Sequence, residues 1–121
     1  MTFTLYHYPR CSTCRKATAW LDAHGHAHRD IDLVAHPPEA ATLRDLWKRS
    51  GLPLRALFNT SGDSYRAGGF KDRIATMSDA EALAALAADG KLVKRPIVDT
   101  GQSVLVGFRE EAYAAALGDG S

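Results

Sequence analysis

The feature that most constrains this chain is a pair of cysteines three residues apart, Cys11 and Cys14, at the start of a predicted helix. Residues 2–7 alternate polar and apolar side chains, which is typical of a short strand, and Pro9 ends that strand before the pair. Cysteines at this spacing in a first helical turn have Cα atoms ~5–6 Å apart, within reach of a disulfide. The sequence therefore predicts a strand that leads directly into a redox-active or metal-binding helix start.

The position of Cys11 favours an exposed, ionised thiol. Unpaired backbone N–H groups and the positive end of the helix dipole meet at a helix N-terminus, and both stabilise a thiolate. Such sites lower the pKa of a cysteine from ~8.5 toward ~3.5–7.5. Arg10, Arg15 and Lys16 add positive charge nearby. We therefore expect Cys11 to be the nucleophile and Cys14 to be the resolving thiol.

The same helix start is suited to binding an anion. The backbone N–H groups after Cys11 form a cradle for an oxyanion, and the small side chains of Ser12 and Thr13 favour its approach. Fixed N–H dipoles offset the repulsion between a thiolate and a tetrahedral oxyanion. Ser12, Thr13 and Arg15 are therefore candidate oxyanion-binding residues.

Two other interpretations of the cysteine pair stay open. A zinc site needs two further ligands, but the sequence has no second cysteine pair. His24, His26 and His28 are predicted to straddle a turn and the start of a strand, so we predict that the chain binds no metal. Alternatively, both cysteines are reduced and buried without a role. The basic residues that flank the pair favour an exposed, electropositive site instead.

The rest of the chain predicts an α/β fold. Ser78 and Glu81 have the spacing of a capping box at a helix start. The predicted elements are a strand over 2–7, a helix over 11–23, a strand over 28–33, a helix over 39–49, short helices and loops over 54–73, a helix over 78–89, strands over 92–98 and 103–106, a helix over 110–117 and a frayed end over 118–121.

This order is β-α-β, a helical insertion, and then β-β-α, which is the plan of the thioredoxin fold. The sequence shows no repeats, low-complexity segments or internal domain boundary. We therefore predict a single domain over residues 1–121, with the helical insertion over about 38–90, between the second and third strands.

A proline at the third predicted strand marks a second candidate segment. A proline that enters a strand has no N–H for the ladder, so Pro96 needs a special setting such as a cis bond or a sheet edge. In a thioredoxin-like fold, a cis-proline before the third strand faces the cysteine pair. Arg95 would then lie beside Cys11, where its planar set of donors matches an oxyanion. An exposed arginine before a trans-proline is the alternative.

Composition limits the partners of the chain. Its 15 basic and 14 acidic residues give a formal net charge of +1, which favours neither nucleic acid nor an anionic membrane. No apolar run approaches the ~20 residues that span a bilayer. The N-terminus lacks the features of a secretory signal. We therefore expect a cytoplasmic protein, in a compartment that keeps thiols reduced.

Several segments, spread over nearly the whole chain, match one family pattern. They are Tyr6-His7-Tyr8-Pro9-Arg10-Cys11-Ser12-Thr13-Cys14-Arg15-Lys16, Asp32-Leu33, Pro37-Pro38, Leu43, Gly51, Arg55-Ala56-Leu57-Phe58, Lys94-Arg95-Pro96-Ile97-Val98 and Val106-Gly107-Phe108. This combination resembles the ArsC/Spx family, which holds arsenate reductases and Spx-type regulators. The resemblance implies a thioredoxin-like fold with a helical insertion, in agreement with the element order.

The resemblance also implies site residues. In the glutaredoxin-coupled arsenate reductases of this family, the nucleophilic cysteine matches Cys11 and an upstream histidine matches His7. One oxyanion-binding arginine matches Arg95. Two further arginines are absent here, because their positions fall at Asn59 and near Gly107. The place of His7 at a strand end is equally consistent with a packed, structural histidine.

The absent arginines put strong arsenate binding in doubt unless other cations substitute for them. The candidate substitutes are Arg10, Arg15, Arg55 and Lys94.

Among family activities, the resemblance leads us to expect arsenate reduction without a bound cofactor. The Cys11 thiolate attacks arsenate, Cys14 then forms a disulfide with Cys11, and thioredoxin or a glutathione/glutaredoxin system reduces the enzyme again.

Two alternatives belong to other functional classes. The glutaredoxin-coupled enzymes lack a cysteine at position 14, and its presence is similar to the Spx branch, where the pair is a redox switch. Such a regulator would bind the RNA polymerase α subunit through the surface near Gly51. The lack of an extended basic tail after the last helix favours an enzyme. The other alternative is a general thiol-disulfide oxidoreductase, which needs no oxyanion substrate.

Overall fold

The computed structural model describes residues 2–118. Its order of elements confirms the predicted α/β plan. The elements are β1 (Phe3–His7), α1 (Ser12–Ala23), β2 (His28–Asp32), α2 (Ala40–Ser50), a 3-10 turn (Leu54–Leu57), α3 (Asp63–Ala67), α4 (Phe70–Arg73), α5 (Asp79–Ala88), a second 3-10 turn (Gly90–Leu92), β3 (Ile97–Asp99), β4 (Val104–Val106) and α6 (Glu110–Leu117).

The chain divides into two compact units, one built from residues up to 32 and from 95 onward, the other from residues 33–94. The second unit carries the helical insertion between β2 and β3, and the predicted bounds of about 38–90 fall inside this unit. The single domain over residues 1–121 stays a prediction. The C-terminal end over 118–121 was predicted to fray, and residues 119–121 lie outside the described part of the chain. None of the helices within residues 2–118 is long and apolar enough to cross a membrane.

A four-stranded mixed sheet in the order β2-β1-β3-β4 forms the first unit. β1 and β2 are parallel, with Phe3 opposite His28, and α1 makes the crossover that a parallel pair requires. β3 runs antiparallel to β1, with Tyr6 opposite Ile97, and β4 runs antiparallel to β3. Because β3 begins beside the end of β1, the residues before β3 and those after β1 lie at one edge of the sheet.

The apolar face of α1 packs on one side of this sheet. Leu5 of β1 and Val98 of β3 are paired across the ladder, and both are fully buried. Trp20 of α1 meets Tyr113 of α6 edge to face, with ring centroids 5.6 Å apart. The buried residues of this core are Phe3, Leu5, Ala17, Trp20, Leu21, Val98 and Tyr113. The core fixes the direction of α1, and therefore the place of its N-terminus at the end of β1.

The second unit is helical, and α2 packs against α5 within it. The capping box predicted at the start of α5 is present. The Glu81 N–H donates to the Ser78 hydroxyl at 3.1 Å, and the Ser78 N–H donates to the Glu81 carboxylate at 2.9 Å. Gly90 passes so close to Leu33 that a Cβ atom at position 90 would lie 1.8 Å from the Leu33 carbonyl oxygen. Only glycine fits this approach.

The third strand is shorter than predicted, and the prediction of a strand over 92–98 was wrong at its start. The strand spans 97–99. The Lys94 N–H donates to the Leu57 carbonyl at 2.7 Å, so this part of the backbone is paired elsewhere. Pro96 has no N–H to donate. The ladder with β1 therefore begins only after Pro96.

Candidate active site

Cys11 is the residue that caps the N-terminus of α1. Its backbone is extended, with φ −86° and ψ 120°, and its N–H donates to the Tyr8 carbonyl at 2.9 Å. The half-buried side chain makes no close capping hydrogen bond of its own. The N–H groups of Thr13 and Cys14 nevertheless act on its sulfur to lower the pKa of Cys11, because they stabilise a thiolate. The exposed Ser12 and Thr13 leave this helix start open to solvent.

Cys14 lies one turn further along α1, on its buried face, and is 0% exposed. The backbone N–H of Tyr8 donates to the Cys14 sulfur at 3.5 Å. The Cys14 thiol is also a hydrogen-bond partner of the Cys11 sulfur. Both cysteines are free thiols. The arrangement is that of a reduced pair with one accessible and one inaccessible sulfur.

The surroundings of the two sulfurs shift their pKa values in opposite directions. Partial burial acts to raise the pKa of Cys11, but the N–H and thiol of Cys14, the Arg95 guanidinium and the Thr13 N–H outweigh it and lower the pKa. Burial raises the pKa of Cys14 to about 12, and the neighbouring Cys11 adds to this rise. Cys11 is therefore the thiol that ionises first.

Arg95 and Pro96 lie immediately before β3, at the sheet edge where α1 begins. The Arg95–Pro96 peptide is cis, as predicted. The Arg95 guanidinium interacts with the Cys11 sulfur and lies over the Tyr8 ring, 5.2 Å from its centroid. Pro96 is buried, and its carbonyl accepts a 2.7 Å hydrogen bond from the Gly107 N–H. The structure thus brings Arg95 to the cysteine pair, as the sequence predicted.

Comparison with known proteins identifies the family to which this chain, with its fold and cysteine pair, belongs. Residues 6–116 match the sequence profile of the ArsC family. The chain belongs to the ArsC family. A crystal structure of an ArsC family related protein from Bacteroides fragilis superposes with a TM-score of 0.91 at 39% identity, over 95% of this chain and 97% of that one.

Sequence relatives of this ArsC family member carry different names. YusI of Bacillus subtilis, an uncharacterized protein, is 44% identical over 93% of this chain and 96% of its own length. An arsenate reductase of Neisseria meningitidis is 29% identical over 93% of this chain and 96% of its own. The global transcriptional regulator Spx of Lactococcus lactis is 24% identical over 94% of this chain and 85% of its own. The relatives therefore include both enzymes and regulators.

The two positions that lack the family arginines offer no cation. Gly107 is buried, and its N–H is used by Pro96. Asn59, in the second unit, is half-buried, and its N–H donates to the Leu92 carbonyl at 2.7 Å. Of the three family arginine positions, the chain therefore carries an arginine only at Arg95, which lies in the first unit beside the start of α1.

The four candidate substitutes for the missing arginines all have exposed side chains. They are Arg10, Arg15, Arg55 and Lys94. The Arg15 guanidinium donates to the Pro9 carbonyl at 3.3 Å, so it is turned back toward the loop before α1. Arg55 and Lys94 belong to the second unit. The role of Arg15 in oxyanion binding stays a prediction.

His7 lies at the end of β1 and lines a surface pocket of about 370 Å³, together with Arg15, Thr18, Asp22 and Asp30. It is not among the groups that shift the pKa of Cys11. The structure therefore places His7 against side chains of α1 and β2. Its supporting role at the cysteine pair stays a prediction.

The three histidines considered as metal ligands are each engaged by aromatic rings, backbone groups or carboxylates. His24 stacks on Trp20 with ring centroids 4.0 Å apart, and its Nδ1 contacts the Trp20 carbonyl at 2.8 Å. His26 also stacks on Trp20, at 5.7 Å. His28 lies between Asp22 and Asp30, at 2.8 and 2.5 Å. Within residues 2–118, no three or more His, Cys, Asp or Glu side chains are arranged to hold a metal ion.

Sequence reasoning missed Tyr8 as a member of this site. Its backbone bonds to both cysteines, and its ring lies under Arg95. The available signal was an aromatic side chain directly before Pro9 and three residues before Cys11. Its contact with Arg95 depends on a sheet pairing between distant parts of the chain, which local sequence does not reveal.

Proposed function

We propose that this ArsC family member is a thiol-dependent reductase that converts arsenate to arsenite through Cys11 and Cys14. One observation carries the proposal. The accessible sulfur of Cys11 lies where the N–H groups of a helix start and the Arg95 guanidinium converge, with the Cys14 thiol buried behind it. This arrangement provides a nucleophile, an oxyanion site and a resolving thiol in one place.

The first step joins sulfur to arsenic. The Cys11 thiolate attacks the arsenic atom of arsenate, a sulfur–arsenic bond forms, and one oxygen of arsenate takes up protons and leaves as water. Arg95 and the N–H groups at the start of α1 offset the negative charge of the oxyanion during this attack. Arsenic is still As(V) in the adduct.

The second step transfers two electrons. The Cys14 sulfur attacks the Cys11 sulfur, a disulfide forms, and the sulfur–arsenic bond breaks with its electron pair left on arsenic. Arsenic is reduced from As(V) to As(III) and leaves as arsenite, while the two thiols are oxidised to one disulfide. The Cys14 proton passes to a departing arsenite oxygen. The high pKa of Cys14 keeps this thiol protonated until the adduct has formed.

An external dithiol completes the cycle. Thioredoxin or a glutathione/glutaredoxin system supplies two electrons and returns Cys11 and Cys14 to thiols. Both systems belong to a reducing, cytoplasmic setting, which is where we propose that the protein acts. The relative named arsenate reductase in Neisseria meningitidis supports the proposal that this protein reduces arsenate.

A second candidate is disulfide exchange with protein or small-molecule thiols. The observation that favours it is the absence of a cation at Asn59 and Gly107, because a dithiol exchange needs no binding site for a highly charged oxyanion. Under this alternative, Cys11 attacks a disulfide and Cys14 resolves the mixed disulfide.

Catalytic turnover distinguishes these assignments. The reduced protein is incubated with arsenate and either a thioredoxin or a glutathione/glutaredoxin recycling system, and arsenite is measured. Turnover with thioredoxin that Cys11→Ser and Cys14→Ser both abolish supports the proposal. Turnover with glutathione and glutaredoxin that survives Cys14→Ser keeps the enzyme but removes the resolving role of Cys14.

No turnover with either system rejects arsenate reduction. Insulin reduction would then test general disulfide exchange. A pull-down of the RNA polymerase α subunit, dependent on the oxidation state of the cysteine pair, would test an Spx-type regulator.

A further inference from the structure

We infer that Tyr8 is a positioning residue, which holds Arg95 against the Cys11 sulfur through its ring and both cysteines through its backbone. The inference deepens the proposed function and rests on the assignment of Cys11 as the reacting thiol. It concerns the geometry of the pair, and so it can be tested without arsenate.

The backbone of Tyr8 connects the two cysteines. Its N–H donates to the Cys14 sulfur at 3.5 Å, and its carbonyl accepts from the Cys11 N–H at 2.9 Å. One peptide segment therefore fixes both the buried sulfur and the residue that carries the exposed sulfur. These two bonds belong to the main chain, so they survive substitution of the side chain.

The ring of Tyr8 carries the part of the inference that is specific to an aromatic residue. The Arg95 guanidinium lies over the ring, 5.2 Å from its centroid, within the ~6 Å range of a cation–π contact. Tyr8 and Arg95 are both half-buried, so water screens the contact only in part. The negative face of the ring attracts the cation, while the in-plane donors of the guanidinium can still meet a second partner.

That second partner is the Cys11 sulfur. Arginine has a long side chain that loses considerable freedom when it is held in one place. Without the ring, the guanidinium explores other rotamers and spends less time at the sulfur. The aromatic face at position 8 therefore acts on Cys11 through Arg95. The hydroxyl of Tyr8 has no part in this contact.

The experiment measures the pKa of Cys11 in the full-length reduced protein. Iodoacetamide alkylation is followed from pH 5 to pH 10, and peptide mass spectrometry assigns the modification to Cys11. The variants are Tyr8→Leu, Tyr8→Phe, Arg95→Ala and the double variant Tyr8→Leu/Arg95→Ala. Trp47→Leu is the matched control, because Trp47 lies under another cation, Lys48, at 4.2 Å in the second unit.

Tyr8→Leu is expected to raise the pKa of Cys11 by up to about one unit, or about a tenfold lower thiolate fraction at a pH below both values. Tyr8→Phe keeps the ring face and should retain the parent profile, as should Trp47→Leu. In the Arg95→Ala background, Tyr8→Leu should add no further shift, because the ring then has no guanidinium to hold.

Two results would overturn the inference. One is a folded Tyr8→Leu protein with an unchanged Cys11 profile, and the other is an equal shift with and without Arg95. If Tyr8→Leu does not fold, progressively fluorinated phenylalanine at position 8 weakens the ring face at nearly constant shape and should raise the pKa stepwise. If the parent protein does not reduce arsenate, the proposed function is contradicted. The alkylation profiles would still decide the role of Tyr8.

Discussion

Cys11 and Cys14 lie one helical turn apart, yet their pKa values are displaced in opposite directions. The pKa of Cys11 is lowered because donors outweigh its partial burial, whereas burial raises the pKa of Cys14 to about 12. The asymmetry follows from the direction of each side chain on α1. One sulfur lies at the open helix start, and the other lies on the face that packs into the core.

This asymmetry predicts that the two thiols react at very different rates. With iodoacetamide at pH 7, which leaves no disulfide for Cys14 to attack, one thiol per chain should react quickly, and it should be Cys11, because the thiolate is the reactive species. Cys14 should react only after unfolding in urea, when both thiols are exposed. Two equally fast thiols in the native protein would contradict the asymmetry.

Arg95 should matter to Cys11 in two ways. Arg95→Ala should raise the pKa of Cys11 and lower kcat/KM for arsenate by about tenfold or more, since hydrogen bonds to charged groups contribute ~1.5–3 kcal/mol. Arg95→Lys should recover part of the loss, because it restores the charge but not the bidentate geometry.

The control for Arg95 is Arg15→Ala. The Arg15 guanidinium is turned toward the Pro9 carbonyl, so this variant should leave the alkylation profile of Cys11 close to that of the parent. An Arg15→Ala effect as large as that of Arg95→Ala would show that general positive charge, rather than the placed guanidinium, controls the thiolate.

His28 should make the stability of the protein depend on pH. Partial burial acts to lower the pKa of His28, but its bonds to Asp30 and Asp22 outweigh it and raise the pKa above 6.5. The protonated form is therefore favoured in the folded state. Its contribution is fully present below pH 6.5 and is lost as the pH rises through the raised value.

The measurement for His28 is the urea midpoint of the parent protein and of His28→Gln at pH 5.5 and pH 8.5. The urea midpoint of the parent should exceed that of the variant by more at pH 5.5 than at pH 8.5. Added salt should reduce this difference in midpoint, because Asp22 is largely exposed. An advantage that is equal at both pH values would contradict this account.

Gly90 should tolerate no side chain. Gly90→Ala places a methyl group against the Leu33 carbonyl and should destabilise the protein by ~1–3 kcal/mol or more, as overpacking does. Gly101→Ala is the comparison, because a Cβ there meets nothing within 4 Å and the cost comes only from φ +90°. Thermal unfolding measures both variants, and a Gly90→Ala protein no less stable than Gly101→Ala would contradict the close approach.

Local sequence was sufficient for the parts of the fold that local physics determines. The start of α1 follows from Pro9 and the cysteine spacing, and the start of α5 follows from Ser78 and Glu81, whose side chains and backbone cap each other. For Pro96, local physics left a cis bond or a sheet edge open, and the cis bond that the structure shows was predicted from the analogy with a thioredoxin-like fold.

The remaining features depend on pairings between distant segments. The start of β3 was misplaced because the Lys94 N–H is taken by Leu57, a partner that no local pattern identifies. The part played by Tyr8 was missed for the same reason, since its ring meets Arg95 only after β3 has paired with β1.

The most direct test of the central claim is a single turnover without any external reductant. Fully reduced protein is mixed with excess arsenate, and arsenite, free thiols and intact mass are measured over time. The account predicts one arsenite per chain, the loss of both thiols and a mass decrease of two hydrogen atoms, which corresponds to the Cys11–Cys14 disulfide. No arsenite, or arsenite formed while both thiols persist, would contradict it.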